Sequence, residues 1–297
     1  MRLRAGPWLL AALVLGAAAL AAATTLLRGE AGALDRIRET GVIRIGYAVE
    51  APYAMASDGQ VTGEFPELAK LVVARMGVDE IEWVQADFES LIDDLGDGRF
   101  DVIAAGMFIT PERTRSIAFS EPTLRVQTGL LVPAGNPRGL RSVDDVFAVP
   151  GLHVAVLAGS VEEDRVRARG IPPGALLRAP DAVSARAAVA GGIADVLVVS
   201  APTTRAMARA QPALLESIEA PPGNPGPSVL ISYVGFAFSM GDRGLVREWN
   251  RAQAAVLGSP AHLASMRRFG FDLADLPTGT TLEDVLHYAS GDGPTRR

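Results

Sequence analysis

The chain contains no cysteine. Disulfides, thiolate nucleophiles and cysteine-held metals are therefore excluded. Histidine is scarce too: His153, His262 and His287 are the only three and lie far apart, which argues against a histidine-rich metal site. No metal and no cofactor is expected. Positive charge is in deficit. The formal net charge of −6 runs against a nucleic-acid partner, because a phosphate backbone rewards clustered positive charge. Lysine is nearly absent, Lys70 being a rare exception among arginines, and aromatics make up only 6% of the chain. Beyond the N-terminal region no apolar run is long enough to span a bilayer. What is present, 297 residues that are 48% hydrophobic and 21% charged, is ordinary globular composition, enough for one large domain or two modest ones.

The N-terminus reads as an export signal over residues 1–27. Arg2 and Arg4 supply the positive flank, Trp8 to Leu20 is a nearly unbroken apolar run, and Ala19-Leu20-Ala21 and Ala21-Ala22-Ala23 are small-x-small cleavage candidates. The run is short of the ~20 residues of a membrane span. Ala and Leu continue to about Leu27, so an uncleaved anchor is the alternative. Without cysteine near the cleavage site no lipid anchor is expected. The mature chain is expected to begin near Thr24 and to work outside the cytoplasmic membrane, in the periplasm or on the membrane's outer face.

Further along, hydrophobic periodicity alternates between the two regular types. Leu34 to Glu39 predicts a short helix closed by Thr40-Gly41, Val42 to Tyr47 a strand, Glu64 to Met76 a helix with Gly77 at its end, and Ile81 to Val84 a strand. Phe88 to Leu95 predicts a helix and Phe100 to Ala105 a buried strand. That βαβαβ order is the mark of a doubly wound α/β unit. A second unit follows: strands over Thr128–Val132, His153–Ala158 and Ala194–Val199, with helices after Gly159-Ser160, over Ser184–Ala190 and over Thr203–Ala210. Val229 to Phe238 predicts a long strand, and Leu245–Leu257 and Ala261–Phe269 amphipathic helices; the residues from Ser290 on look frayed. Pro/Gly breaks near 133–137 and 221–227 bracket the second unit. The chain is therefore expected to build one lobe from 34–133 plus 230–297 and another from 134–229, crossing twice through a hinge. Ligands of α/β sheets sit at the C-terminal ends of strands, which places the site in the cleft between the lobes.

The segment Leu91 to Pro122, LIDDLGDGRFDVIAAGMFITPERTRSIAFSEP, resembles the signature LIPxLxxGKxDxIxxxMxITxERxxxxxFSxP of the family 3, polar-amino-acid-type ABC-transporter solute-binding proteins. The resemblance runs in consistent order from about Leu34 to Leu273. It implies a two-lobed periplasmic-binding-protein fold of type II, each lobe a mixed, mainly parallel sheet flanked by helices, and a monomer that binds a small solute and delivers it to the membrane permease of an ABC importer. Within the family the chain looks most like the ectoine/hydroxyectoine-binding proteins, on GYAVEAPYA (Gly46–Ala54), TGEFPELA (Thr62–Ala69), DFESLI (Asp87–Ile92) and AAGMFITPER (Ala104–Arg113).

The resemblance places Arg113 in the cleft against a ligand carboxylate, and a planar guanidinium with parallel N–H donors suits that task. Taken alone, without the motif, Arg113 reads as a surface residue that caps a helix or pairs with Glu112. Thr110 and the backbone N–H groups around Gly106 and Thr110 would complete the grip. Glu50 stands where amino-acid binders of the family usually carry an aromatic, and in ectoine binders a carboxylate there takes the charged ring nitrogens; the plain alternative is a solvated loop acid. Tyr53, Phe88 and Phe108 are candidate walls of an aromatic box for a delocalised cation, worth ~0.5–2 kcal/mol per ring, against core packing as the plain reading. Gly159-Ser160 opens the helix whose N-terminus the family uses for the ligand carboxylate; on its own it is an N-cap, with Glu163 completing something like a capping box. Ser200 occupies the strand end where amino-acid binders of the family place an Asp for the α-ammonium, and Gly63-Glu64-Phe65 replaces the usual Gly-Phe-Asp. Both departures count against a standard α-amino acid. Asp195 is expected to face away. Glu162, Glu163 and Asp164, followed by Arg165, Arg167 and Arg169, read as a solvated helix face.

The leading expectation is thus a non-enzymatic binder of a small zwitterion, ectoine or hydroxyectoine. A polar or cationic amino acid is the alternative ligand. A periplasmic dehydratase of the same fold would need a general acid in the cleft, for which Glu50 is the one candidate. A partner of a separate sensor would need a protein outside this chain.

Overall fold

A computed structural model describes residues 32–219 and 231–289. The predicted export signal, the Pro221–Pro227 stretch and the tail from Ser290 lie outside them. Helix α1 (Ala33–Thr40) ends where Gly41 takes the left-handed conformation, φ 71°, and strand β1 (Val42–Tyr47) begins at once. Strands β2 (Met55–Ser57) and β3 (Gln60–Thr62) form a small hairpin. Helix α2 (Glu64–Met76) and strand β4 (Glu80–Gln85) follow. A 3₁₀ turn over Phe88–Ser90 precedes helix α3 (Leu91–Gly96), so the helix predicted from Phe88 starts as the tighter form. Strand β5 (Val102–Phe108) is buried along its whole length. Short strands β6 (Ile117–Phe119) and β7 (Leu124–Val126) lead to β8 (Thr128–Pro133).

The second unit runs through helix α4 (Asp145–Ala148), strand β9 (Val154–Leu157), helix α5 (Val161–Ala168), strand β10 (Leu176–Ala179), helix α6 (Ala182–Ala190), strand β11 (Val196–Ser200), helix α7 (Ala201–Ala210) and strand β12 (Leu215–Ile218). The chain then returns to the first sheet as β13 (Ser232–Ser239), followed by helices α8 (Arg243–Val256), α9 (Pro260–Arg268) and α10 (Leu282–Ala289). Among the described residues no helix is long and apolar enough to cross a membrane.

Two sheets define two lobes. In the first the strand order is β4-β1-β5-β13-β6, with β7 also on β13; in the second it is β10-β9-β11-β8-β12. Both are mixed. Parallel pairing holds where strands are joined by crossover helices, β4/β1/β5 and β10/β9/β11. The strands that carry the chain between lobes, β13 and β8, pair antiparallel with their neighbours. The expected mainly parallel character is therefore confined to the crossover-built part of each sheet.

Strand β8 corrects one expected boundary. It pairs with β11 and β12, so residues 128–133 sit in the second sheet, and the first crossing falls between Val126 and Thr128. The break at Ala134-Gly135-Asn136-Pro137 is a turn inside the second lobe: Asn136 N–H donates to Pro133 O, and the Asn136 side chain is bonded to both backbone groups of Leu140.

Helices cover both faces of each sheet, leaving separate cores. On one face of the first sheet Phe236 and Phe238 meet Trp249 of α8 edge-on, at ring-centroid distances of 4.7 and 5.5 Å. Leu91, Phe100, Ile103 and Phe119 fill the other face. In the second lobe Leu131, Ala155 and Leu197 point to one side of the sheet, Leu130, Val154 and Val198 to the other. One polar pair lies in the first core. His262 Nδ1 accepts from Gly258 N–H at 3.0 Å, which leaves Nε2 as the donor to Glu64 Oε1 at 2.8 Å and ties α9 to α2.

Candidate ligand-binding cleft

The strand ends that face the cleft deliver its side chains. The loop after β1 turns through Glu50 and Ala54, which exchange backbone hydrogen bonds of 2.9 and 3.0 Å. It holds Glu50 and Tyr53 at the cleft. The Tyr53 ring packs edge-on to Phe65 and beside Phe271 in the first core, so its hydroxyl is the end that reaches the cleft. Gly106, in β5, lies directly beneath that ring. Its φ is +63°, and a Cβ there would stand 2.7 Å from Tyr53 Cδ1, so both backbone and packing require glycine. Phe108 ends β5, and the Arg113 turn follows, pinned by the Arg113 N–H donating 3.2 Å to Thr110 Oγ1. The second lobe contributes Leu157 at the end of β9, Ser160, Val161 and Glu162 at the start of α5, and Val199 and Ser200 at the end of β11.

Eight of the residues predicted from sequence line one cavity: Glu50, Tyr53, Phe88, Gly106, Phe108, Arg113, Ser160 and Ser200. Thr110 stands behind it as the cap of the Arg113 turn. Gly159 is also set back, where the backbones of the two lobes come close: at φ +74° its Cβ would stand 2.9 Å from Glu89 Cα of the first lobe. The cavity is small, about 20 Å³, against ~10–15 Å³ for a single water, so the lobes must part to admit a solute. Ser160 caps α5 by accepting from Glu163 N–H at 3.1 Å, while Glu163 Oε2 accepts from Gly159 N–H at 2.9 Å rather than from the N-cap itself.

Several contacts join the lobes around this cavity. Tyr53 Oη donates to Ser200 Oγ at 3.0 Å, Ser200 Oγ to Thr203 Oγ1 at 3.0 Å, and Thr203 Oγ1 to Glu50 Oε1 at 2.6 Å. Arg113 Nη2 donates to Gly159 O at 3.0 Å, with Nη1 on Phe108 O at 3.0 Å and the guanidinium carbon 5.7 Å from the Phe88 ring centroid. At the rim Arg178 bridges Glu89 of the first lobe and Glu163 of the second, both at 2.5 Å.

The charges are perturbed as burial dictates. Desolvation lifts the Glu50 carboxyl to about 7; the Thr203 hydroxyl opposes the rise and the negative charge of Glu162 adds to it. Burial pushes Glu162 up as well, against the attraction of Arg165 and Arg113, and its Oε1 has no hydrogen-bond partner among the described residues. Burial lowers Arg113 to about 10, which leaves it cationic at neutral pH. The Tyr53 phenol is pushed well above its ordinary value by burial and stays a neutral donor. One cation therefore faces two carboxylates of weakened acidity.

Glu162 corrects the sequence reading. Glu162 and Glu163 are buried at 4% and 5% exposure rather than solvated. The signal was available: Glu162 lies four residues before buried Val166, on the helix face that turns inward. Glu50 is likewise buried, at 7%. Asp195 faces away, holding Arg138 Nε and His153 N–H at 2.9 and 2.8 Å. Among the described residues no group of three or more His, Cys, Asp or Glu is placed to hold a metal ion.

The model of the bacterial extracellular solute-binding proteins, family 3, matches residues 43–260. The chain is 35% identical over 179 residues to the "Probable amino-acid ABC transporter periplasmic-binding protein y4tE" of Sinorhizobium fredii, a match that covers 59% of each chain. It is 27% identical over 194 residues to the cyclohexadienyl dehydratase of Pseudomonas aeruginosa, covering 65% of this chain and 71% of that one. Among solved structures, EhuB in complex with hydroxyectoine superposes with a TM-score of 0.76 at 27% identity, over 85% of this chain and 97% of that one.

Proposed function

The chain belongs to the bacterial extracellular solute-binding proteins, family 3, and we propose that it captures a small zwitterion between its lobes, outside the cytoplasmic membrane, and delivers it as a monomer to the permease of an ABC importer. The observation that carries this reading is the opposition of Arg113 to buried Glu50 and Glu162 in one cavity with Phe88 and Phe108 in its wall and the Tyr53 hydroxyl at its edge. An arginine fork takes a carboxylate; two carboxylates take the N–H groups of a cation; ring faces favour a delocalised one. Ectoine and hydroxyectoine, cyclic amidinium carboxylates, have that pattern. The likeness to EhuB in complex with hydroxyectoine supports the choice. Ser200 at the end of β11 supports it too, since it leaves no fixed carboxylate there for an α-ammonium.

A cationic or polar amino acid is the second reading. It is favoured by the one-carboxylate excess of the cavity and by the likeness to y4tE. A dehydratase role would make Glu50 or Glu162 a general acid, in keeping with the resemblance to the cyclohexadienyl dehydratase. Both carboxylates are instead accounted for as counter-ions, and the binding reading uses every charged group in the cavity.

Isothermal titration calorimetry with ectoine, hydroxyectoine, arginine and glutamine tests the proposal. Micromolar or tighter binding of an ectoine with no heat from the amino acids is expected. Silence for both ectoines beside binding of an amino acid would replace the ligand and keep the family; turnover of prephenate would overturn the binding reading itself.

A further inference from the structure

Thr203 lies on α7, outside the cavity wall, and is fully buried. Its hydroxyl accepts from Ser200 Oγ and donates to Glu50 Oε1 at 2.6 Å. The row starts at Tyr53 in the first lobe, crosses to Ser200 and Thr203 in the second, and ends on Glu50 back in the first. Each hydroxyl has one proton to give, so the direction of the row is set by its acceptor-only end, an ionised carboxylate. No protein donor among the described residues reaches Glu50 Oε2, and Glu50 lines the cavity.

We propose that Thr203 is a positioning residue: its hydroxyl holds Glu50 Oε1 on the second lobe, leaves Oε2 for the cationic group of the solute, and makes lobe closure depend on the ionisation of Glu50. The inference rests on the reading of Glu50 as the counter-ion. A solute alone does not then determine closure. The carboxylate that takes the cation is already tied to the opposite lobe, so cation binding and closure reinforce each other. The groups that share the neighbourhood of Glu50 are Glu162 from α5, Tyr53 from its own loop, Ser200 and Thr203 from β11 and α7, and Arg113 from the turn after β5. Of these, Tyr53 stays neutral and Arg113 cationic near neutrality, while Glu162 opposes ionisation of Glu50. The hydroxyl of Thr203 is the group that favours it.

The experiment reads closure without any solute. The chain has no cysteine, so Arg115→Cys and Ala168→Cys, which line one pocket from opposite lobes, take spin labels cleanly. Interlobe distances by pulsed electron resonance are compared in wild type, Thr203→Val and Thr203→Ser, each at mildly acid and mildly alkaline pH. A hydrogen bond to a charged group contributes more than one to a neutral group. Thr203→Val is therefore expected to raise the open-to-closed ratio about tenfold in alkali and only about threefold in acid, with Thr203→Ser close to wild type. In a Glu50→Gln background the pH dependence of the Val effect should vanish. An equal effect at both pH values, or none, would overturn the inference and leave the functional reading intact. A pH-dependent effect in a protein that binds none of the four solutes would sustain the coupling of Thr203 to Glu50 and sink the ligand assignment.

Discussion

Arg113 and Gly159 belong to opposite lobes and are joined by a 3.0 Å hydrogen bond from the guanidinium to the backbone carbonyl. A second bond, to Phe108 O, fixes the plane of the guanidinium. No other hydrogen-bond acceptor among the described residues takes its remaining N–H groups, which the proposed function assigns to a carboxylate. Arg113 thus ties the two lobes together at the cavity.

Lysine at this position keeps the charge and loses the fork. Arg113→Lys is expected to weaken binding of the solute by roughly 10- to 100-fold, and Arg113→Ala more, both measured by calorimetry. An Arg113→Ala protein with wild-type affinity would remove Arg113 from the site.

Glu50→Gln should trade binding for stability. The Glu50 carboxyl rises from its ordinary 4.5 to about 7 in the folded protein, chiefly by desolvation. The folded state therefore holds this proton more tightly than the unfolded state. Stability from this group is greatest below about 4.5, declines as pH climbs toward 7, and carries its full cost above that. At about 1.4 kcal/mol per pH unit the cost is roughly 3 kcal/mol, an upper value. The Gln variant should melt several degrees above wild type near pH 8, match it near pH 4, and bind the solute poorly at both. Equal melting curves across pH would contradict the buried-charge account.

Cation binding favours ionised Glu50, so a proton should leave when the solute binds below about pH 7. Calorimetry in buffers of different ionisation heats near pH 6 is expected to show net proton release, which fades toward pH 8.5. Buffer-independent heats at pH 6 would assign the cation to another group.

Gly106→Ala places a methyl group against the Tyr53 ring and forces an L-residue to φ +63°. The conformational cost alone is about 1–2 kcal/mol. Displacement of Tyr53 also breaks its bond to Ser200, so affinity and thermal stability should fall together.

The rim pair of Arg178 and Glu89 joins the lobes where both side chains are half exposed. Glu89→Gln should speed solute release at low salt, measured by stopped-flow fluorescence. The difference from wild type should shrink as salt screens the pair.

Alternation and spacing foretold much of the first lobe. β1 and α2 run over Val42–Tyr47 and Glu64–Met76, as their patterns predict: β1 is an inner strand of the first sheet and α2 buries its apolar face in that lobe's core. The β2–β3 hairpin is legible in its tip: Asp58-Gly59, with φ 51° and 74°, is a two-residue turn of the favoured kind. Thr128–Pro133 has the pattern of any buried strand, and nothing local says which sheet it joins. Glu162 is buried because helical phase, set by Val166 four residues on, outweighs its charge in deciding which way it turns.

The α/β class, the family and eight of the residues that line the cleft cavity are legible from the chain alone, because periodicity and motif are properties of one stretch of chain at a time. How the lobes answer each other appears first in three dimensions: Thr203 meets Glu50 across 153 residues, Arg113 reaches Gly159, and Glu162 is desolvated. The reason is physical. Burial and hydrogen bonding in a cleft depend on two surfaces brought together by a hinge, and neither surface carries in its own pattern the register of the other.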